Sequence, residues 1–471
     1  MRSGLFIQTG LRGVDSEESF RHVSKMLPVS IVLFSVDFRN EKELLELIRK
    51  INHIYVVENN VSAPIIAVDQ EGGNVVRIPW IDYSPSNLFL GKLNDPEFTN
   101  YVGRLAGYQL HGLGIGWNLA PVLDTLNGYN PVILERSFGS SLDLIAKHGS
   151  EYIKGIQSYG VRATAKHFPG HGSVMVDSHL DLPEDKRNLE SIINDAFPFR
   201  KAIEAGVSSV MLSHVLYNSL DENYPATLSR AVQKLLREDF GYNKLIISDS
   251  MDMKSVKGRY STSEVVKGSI GNEVDVIEDA NIAASLEFFE IIEKMDRSLL
   301  KAKAERIMKF LEPVNKPSFK PSPLLLNSVE VVFPQVKRKK ALDPEKKTIL
   351  FLMDTKRETN VAEETNVSEV IANKVKDLNF DIEIYYGTEY LEKFRDSGKQ
   401  IIFVGRNEHL KNRVNMLNEI SITNSCVFIS TSFDGDMGIL SENMGYISAY
   451  SKKPTVVTGA ILKAFGLMGK I

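Results

Sequence analysis

The stretch Lys166-His167-Phe168-Pro169-Gly170-His171-Gly172-Ser173-Val174-Met175-Val176-Asp177-Ser178-His179 holds three histidines, a lysine and an aspartate. Asp177 and His179 form an Asp-x-His pair. A carboxylate bonded to one imidazole nitrogen fixes the tautomer and leaves the other nitrogen to exchange a proton near neutral pH. Two solvated loop residues are the plainer reading of that pair. His167 and His171, four apart, have the spacing of two metal ligands, but Pro169-Gly170 between them denies a shared helical face. An apolar run, Gly160 to Ala165, precedes the stretch, and glycines and a proline interrupt it. A strand therefore ends near Lys166 and a long loop carries the proton-transfer groups, where a scaffold can hold reactive side chains without loss of core packing.

Other apolar runs end in polar groups in the same way. Val68-Asp69-Gln70-Glu71-Gly72-Gly73 closes one, Ser213-His214 another and Ser248-Asp249-Ser250 a third. Asp249, after Leu245-Ile246-Ile247, is a partly desolvated carboxylate suited to nucleophilic attack; a helix N-cap is the plainer reading. Asp252 is a rival that has already left the strand. Asp69 can accept from hydroxyls, and Arg77 and Arg136 can donate to oxygen; each could equally be a surface ion pair. His214 divides between site lining and a satisfied core histidine.

These residues need elements to hold them. Apolar runs recur at Gly4–Gly10, Ser30–Val36, Pro64–Gln70, Ile115–Val122, Arg162–Phe168, Ser208–His214, Leu245–Ser250 and Glu273–Glu278. Helical patterns separate them, at Asp15–Leu27, Glu41–Val57, Glu97–Leu113, Leu142–Tyr159, Leu189–Ala205, Ser229–Phe240 and Thr262–Gly268, and one long helix runs from about Asn281 to Leu311. Eight alternating units predict an α/β fold, a closed (β/α)8 TIM-like barrel over residues 1–312. The last strand is weakly marked, because Gly271-Asn272-Glu273-Val274-Asp275-Val276 is polar. Residues 313–345 are proline-rich at their start and read as a linker, with Lys337-Arg338-Lys339-Lys340 as a solvated connector. Residues 346–471 predict a smaller three-layer α/β domain of about five strands, at Thr348–Met353, Asp381–Tyr386, Gln400–Val404, Cys426–Ser430 and Pro454–Thr458. No Gly-x-Gly-x-x-Gly follows its first strand.

The bulk properties narrow the partners. The chain has 471 residues, 43% hydrophobic and 25% charged, with a net charge of −4. No basic field points to nucleic acid or an anionic membrane. One cysteine, Cys426, fits a reducing compartment. The first residues lack a leader-like apolar core, and no apolar run reaches the length of a spanning helix. The expectation is a cytoplasmic enzyme that needs no cofactor and no metal and has a small-molecule partner; a homodimer is left open.

Together the motifs resemble glycoside hydrolase family 3, and within it the β-N-acetylhexosaminidase (β-N-acetylglucosaminidase) branch. The resemblance rests on Lys166 to Gly172 with Asp177-Ser178-His179 and Leu182-Pro183, on Asp69-Gln70-Glu71-Gly72-Gly73 with Val75 and Arg77, and on Asn118-Leu119-Ala120-Pro121-Val122-Leu123-Asp124. Glu135-Arg136-Ser137-Phe138-Gly139, Pro225-Ala226-Thr227-Leu228-Ser229 and Ser248-Asp249-Ser250-Met251-Asp252-Met253 complete it. The blocks stand in family order over residues 1 to about 280. The resemblance implies a retaining exo-hydrolase acting on non-reducing terminal β-linked N-acetylglucosamine, from chitobiose-type oligosaccharides or cell-wall fragments. It implies Asp249 as nucleophile and His179, oriented by Asp177, as acid and base. Asp69, Arg77, Arg136, Lys166 and His167 match the positions that hold the sugar, and His214 is added as a lining residue. Ser173-Val174 replaces the common Asp-Thr, and Lys267–Val276 lacks the usual Ala-Gly-rich pattern, so one pocket wall is expected to differ.

Two other classes of function compete. One is a metal-dependent barrel hydrolase using His167, His171, His179 and Asp177, which a chelator would inhibit. The other is a catalytically silent sugar-binding protein, disfavoured because nucleophile and dyad are both present. A neutral imidazole acid repels anions less than a carboxylate does, so phosphate could replace water; products formed with and without phosphate distinguish the two.

Overall fold

The structure is a computed structural model describing residues 2–81, 85–126, 130, 132–172, 174, 182–312, 335–338, 342–343, 346–353, 372, 375–376, 381–386, 390–395, 397–405, 414–430, 443–448 and 460–461. Asp177, His179 and the expected strand Pro454–Thr458 lie outside the described residues.

The first ten strands are β1 (Ile7–Arg12), β2 (Ser30–Leu33), β3 (Ile65–Val68), β4 (Trp117–Asn118), β5 (Arg162–Phe168), β6 (Glu184–Asp185), β7 (Ser209–Leu212), β8 (Leu216–Tyr217), β9 (Leu245–Ser250) and β10 (Val276–Asn281). Eight of them close a barrel in the order β1-β10-β9-β7-β5-β4-β3-β2, while β6 and β8 pair by themselves. Every barrel pairing is parallel. Strands buried on both faces explain why their sequences read as continuous apolar runs rather than alternating ones. Helices cover the outside, most of them started by a short polar cap such as Asp15, Asn40, Asp95, Ser141, Ser229 or Ser261.

The N-terminal end of the barrel is plugged. Trp117 donates to Thr164 Oγ1 at 2.8 Å and Ser209 Oγ at 3.1 Å, and its ring meets Phe310 edge-on at 4.6 Å. Arg162 donates to the carbonyls of Phe310 and Glu312. The opposite, C-terminal mouth is left to the polar groups.

Several expected elements are corrected. The last barrel strand runs three residues later than Glu273–Glu278. The polarity that obscured it is Asp275, a buried carboxylate at the foot of the strand, held by Arg237 and Arg306, each at 2.7 Å. The strand expected at Ile115–Val122 has two ladder residues, Trp117–Asn118, and Val122 meets Lys166 further on as an isolated bridge. The long helix is two, Ile282–Ile292 and Arg297–Leu311, the second capped by Asp296. Leu189–Ala205 also splits, with Pro198 near the start of Phe197–Glu204, where its missing N–H costs nothing.

Among the described residues the second sheet has six strands, where about five were expected: β11 (Gln335–Arg338), β12 (Thr348–Leu352), β13 (Ile382–Tyr386), β14 (Gln400–Gly405), β15 (Ser425–Ser430) and β16 (Gly445–Ser448), in the order β11-β16-β15-β14-β12-β13. β11 pairs antiparallel with β16, so this domain reclaims part of the expected 313–345 linker, and the basic run begins inside a strand. One face of the sheet, including Ile349, Phe351, Ile401, Phe403 and Phe428, forms its own core. Alternate residues, including Leu350, Leu352, Ile402, Val404 and Ile429, join the core that contains the barrel.

Candidate active site

A cavity of about 290 Å³ opens at the C-terminal mouth. That is at the small end for a small-molecule site. Its lining includes Asp69, Arg77, Arg136, Lys166, His167 and Asp249, six of the residues singled out from the sequence.

The chain after β3 makes a tight turn in which Glu71 N–H and Gly72 N–H both donate to the Val75 carbonyl. Gly72 and Gly73 sit at φ of +94° and +58°. A Cβ on Gly73 would meet the Ser86 side chain at 2.8 Å, which accounts for the Gly-Gly pair. Gln70 Oε1 accepts the N–H groups of Arg77 and Ile78, tying the return of the turn to its start. Arg77 thereby comes within 3.6 Å of Asp69.

Lys166, at the end of β5, lies 2.8 Å from Asp69 and 2.6 Å from Glu71. Glu71 also takes two parallel hydrogen bonds from Arg136, at 2.8 and 2.9 Å. Burial alone would favour a neutral Glu71, but Arg136 and Lys166 hold its carboxyl well below the usual range. Burial likewise disfavours the charge on Lys166, and Asp69 with Glu71 more than restores it. Arg136 stays charged for the same reason. Glu71 is thus the hidden anchor of Arg136 and Lys166, two of the cations that line the cavity. Sequence reasoning passed it over inside a motif; a carboxylate two residues beyond a strand-end aspartate was the available signal.

His167 follows Lys166 through a cis peptide. Its Nδ1 lies 2.7 Å from Asp124 Oδ2, and its N–H donates to Asp124 Oδ1. The His171 N–H donates to that same oxygen at 2.6 Å. Asp124 is fully buried and its acidity is increased: burial opposes ionisation, while His167 and His171 overcome it. A carboxylate on Nδ1 leaves the other nitrogen of His167 for a ligand. His171 also lines the cavity, and burial pulls its imidazole down to about 4, so it is neutral at physiological pH. The two imidazole rings stand 6.0 Å apart, edge to face. Among the described residues no group of three or more His, Cys, Asp or Glu has a metal-holding arrangement.

The loop that leaves β5 is fastened at its root. A Cβ on Gly172 would lie 1.6 Å from the Thr125 carbonyl, so only glycine passes there. Asn130 donates to the carbonyls of His171 and Val174, and Tyr217 donates to that of Gly170.

Asp249 is half-buried on the cavity wall and accepts from the Ser250 N–H at 2.8 Å. Burial pushes its acidity one way; His167, His214, the Ser250 N–H and Lys166 push it further the other way, to about 2. It is an anion at any working pH. The β9–β10 register slips beside it: Val276 pairs with Ile247 but Glu278 with Ser250, so β9 carries an extra residue there. β5 slips in the same way between Lys166 and Phe168. Such bulges re-aim a side chain, and here they fall at Asp249 and His167.

His214 is a correction. It is fully buried and does not line the cavity. Its Nδ1 is 2.6 Å from Thr227 Oγ1 and its Nε2 is 2.9 Å from the Ser250 carbonyl. It supports the backbone beside Asp249. Asp252 sits on the rim, paired with Lys257. Glu278 and Arg12, missed from the sequence, also line the cavity.

A closed parallel barrel whose C-terminal mouth gathers anions, cations and imidazoles around a small cavity defines an enzyme that handles a polar small molecule. Residues 9–309 match the family model described as the glycosyl hydrolase family 3 N terminal domain. The chain belongs to glycosyl hydrolase family 3 and is a glycoside hydrolase. It is 34% identical over 247 residues to a beta-hexosaminidase of Thiobacillus denitrificans, covering 50% of this chain and 67% of that protein. It is 35% identical over 257 residues to a beta-hexosaminidase of Neisseria meningitidis, covering 52% and 70%. A family 3 beta-N-acetylglucosaminidase from Paenibacillus shares the fold at a TM-score of 0.87 and 23% identity, with 99% of this chain and 96% of that one aligned. NagZ of Neisseria gonorrhoeae aligns at a TM-score of 0.57 and 29% identity over 69% and 92%.

Proposed function

We propose that this chain is a retaining exo-β-N-acetylglucosaminidase. The observation that carries the reading is Asp249: an ionised carboxylate on a bulged strand end, facing a cavity just large enough for a small ligand. In this reading an Asp249 oxygen attacks the anomeric carbon, the bond to the aglycone oxygen breaks, and the leaving oxygen takes a proton from His179. Water then attacks the same carbon, passes its proton to His179 and frees Asp249. Asp177 orients His179. Asp69, Arg77, Arg136, Lys166 and His167 hold the terminal sugar through its hydroxyl and acetamido oxygens. The relatives named beta-hexosaminidase support the choice of an N-acetylated sugar.

The natural substrate in this reading is a chitobiose-type oligosaccharide or a cell-wall fragment, handled in the cytoplasm. Among the described residues no helix is long and apolar enough to cross a membrane. The test is turnover of an aryl β-N-acetylglucosaminide followed by proton NMR from the first seconds. Retention requires the β-anomer of N-acetylglucosamine to appear first; the α-anomer first, or no turnover, overturns the reading.

A further inference from the structure

Around Asp249, side chains take over part of the pairing of β9 with its neighbours. The β7–β9 ladder ends at Leu212 and Ser248. Two residues further along each strand, the ring of His214 replaces it: His214 Nε2 lies 2.9 Å from the Ser250 carbonyl. On the β10 side the Glu278 N–H donates to Ser248 Oγ at 2.9 Å, and the Ala280 N–H to Ser250 Oγ at 3.3 Å. The two hydroxyls that flank Asp249 thus stand in for strand carbonyls where the register slips. The Ser250 carbonyl also accepts the Met253 N–H, and the Ser250 N–H donates to Asp249 Oδ1 at 2.8 Å.

His214 and Thr227 are both fully buried. A carbonyl oxygen only accepts, so the Nε2 that meets Ser250 carries a proton. The Thr227 hydroxyl has one proton for two acceptors, His214 Nδ1 at 2.6 Å and the Ser213 carbonyl at 3.4 Å, and the shorter contact takes it. That bond selects the Nε2–H tautomer of a neutral ring. Thr227 is pinned in its turn. Its N–H donates to the Ser213 carbonyl at 3.2 Å, and its carbonyl accepts from Gln233 Nε2 at 2.9 Å. A fixed hydroxyl therefore sets the imidazole, the imidazole holds residue 250, and residue 250 holds one oxygen of Asp249.

We propose that His214, set by Thr227, is a positioning residue for the nucleophile: through Ser250 it aims Asp249 Oδ2 at the anomeric carbon. In the first step Oδ2 forms the ester bond as the bond to the leaving oxygen breaks. Oδ1 becomes the ester carbonyl and keeps the Ser250 N–H. In the second step water attacks the anomeric carbon, the bond to Oδ2 breaks, and its electron pair returns to the carboxylate, with protons moving as in the mechanism above. The same orientation serves both steps, and the ring does not line the cavity. This inference rests on the nucleophile role of Asp249.

The experiment times covalent labelling of Asp249 by a fluorinated, activated N-acetylglucosaminide in the parent enzyme, His214→Phe, His214→Gln and Thr227→Val. Thermal unfolding checks that each is folded. Phenylalanine fills the space and donates nothing, whereas glutamine can return an N–H toward the Ser250 carbonyl. A misplaced reacting group costs about a hundredfold, and His214→Phe should lower the limiting rate of labelling by about that factor. Binding of the reagent should stay within about threefold of the parent, because the sugar is gripped from the β3–β5 side. His214→Gln should recover about tenfold of the loss, and Thr227→Val should lose about three- to tenfold. A limiting rate in His214→Phe within about threefold of the parent overturns the role. So does weakened binding in step with the rate, or no recovery with glutamine, which is what lost packing alone would give. If His214→Phe does not fold, Thr227→Val decides, since it keeps the shape of the side chain; an unchanged limiting rate there overturns the proposal. A parent enzyme that takes no label on Asp249 contradicts the nucleophile reading instead, and mass spectrometry of the parent alone separates the two failures.

Discussion

Glu71 and Glu278 are both buried at the barrel mouth, 3% and 4% exposed, and their acidities move in opposite directions. Burial is the largest influence on each and favours the neutral acid. At Glu71 a bidentate arginine and a lysine reverse it. At Glu278 the charges of Asp249, Asp69 and Asp279 add to it and outweigh Lys166. One side of the mouth, β3 to β5, is a compensated ionic lattice that can grip a polar ligand without moving. The other side holds Glu278 on β10, where burial and neighbouring carboxylates act in the same direction. Residue type alone does not decide a role; the counter-charge does.

The largest expected effect comes from breaking the acidic side at its reactive point. Asp249→Ala should lower kcat on an aryl β-N-acetylglucosaminide by about 10⁴-fold or more, since one member of a covalent mechanism is lost; steady-state kinetics on folded protein checks this. Breaking the lattice side should appear in stability instead. Glu71→Gln leaves Arg136 and Lys166 buried without their shared anion, which should cost about 3–5 kcal/mol in denaturant unfolding. The pH dependence gives the sign. The Glu71 carboxyl is depressed in the fold, so its contribution is fully present above the unfolded carboxylate range and is lost only as acid titrates the folded group.

Asp124→Asn sharpens the lattice more gently. It removes a charged acceptor from His167 and from the His171 N–H, and a hydrogen bond of that kind is worth about 1.5–3 kcal/mol. A rise in KM of about ten- to a hundredfold is expected, with kcat less affected. Asp279, next to Glu278, supplies the smallest test. Burial pushes its carboxyl from 3.8 up to about 7. A raised acid binds more protons folded than unfolded, so stability should decline as pH rises from about 4 to 7. Asp279→Asn should flatten that decline in thermal or urea unfolding followed across pH.

Much of the mouth was legible in the sequence. Asp69, Lys166, His167 and Asp249 stand at the ends of apolar runs, and a parallel barrel brings all such ends to one mouth. Arg77 and Arg136 arrive by loops, and the motifs around them carried the expectation. Glu278 closed the last expected strand yet drew no attention, because the polar approach to it obscured that strand. The obscuring residue, Asp275, proves to be an ion-paired foot at the other end of the barrel. His214 was over-read for the converse reason. A histidine at a strand end looks available, and only the positions of Thr227 and the Ser250 carbonyl reveal that both ring nitrogens are engaged. Bulges escape detection too, since a register slip depends on the partner strand. The breaks in the two long helical patterns follow the same rule: caps such as Asp296 are visible residues whose use is decided by tertiary packing.

The most direct test of the account is covalent capture of the nucleophile. The enzyme is incubated with a fluorinated, activated N-acetylglucosaminide that forms the glycosyl-enzyme faster than it is hydrolysed, then digested and mapped by mass spectrometry. The account predicts one sugar per chain, attached to Asp249 in the peptide spanning Leu245–Ser250. A sugar on any other residue, or full turnover with inversion and no adduct, would contradict it.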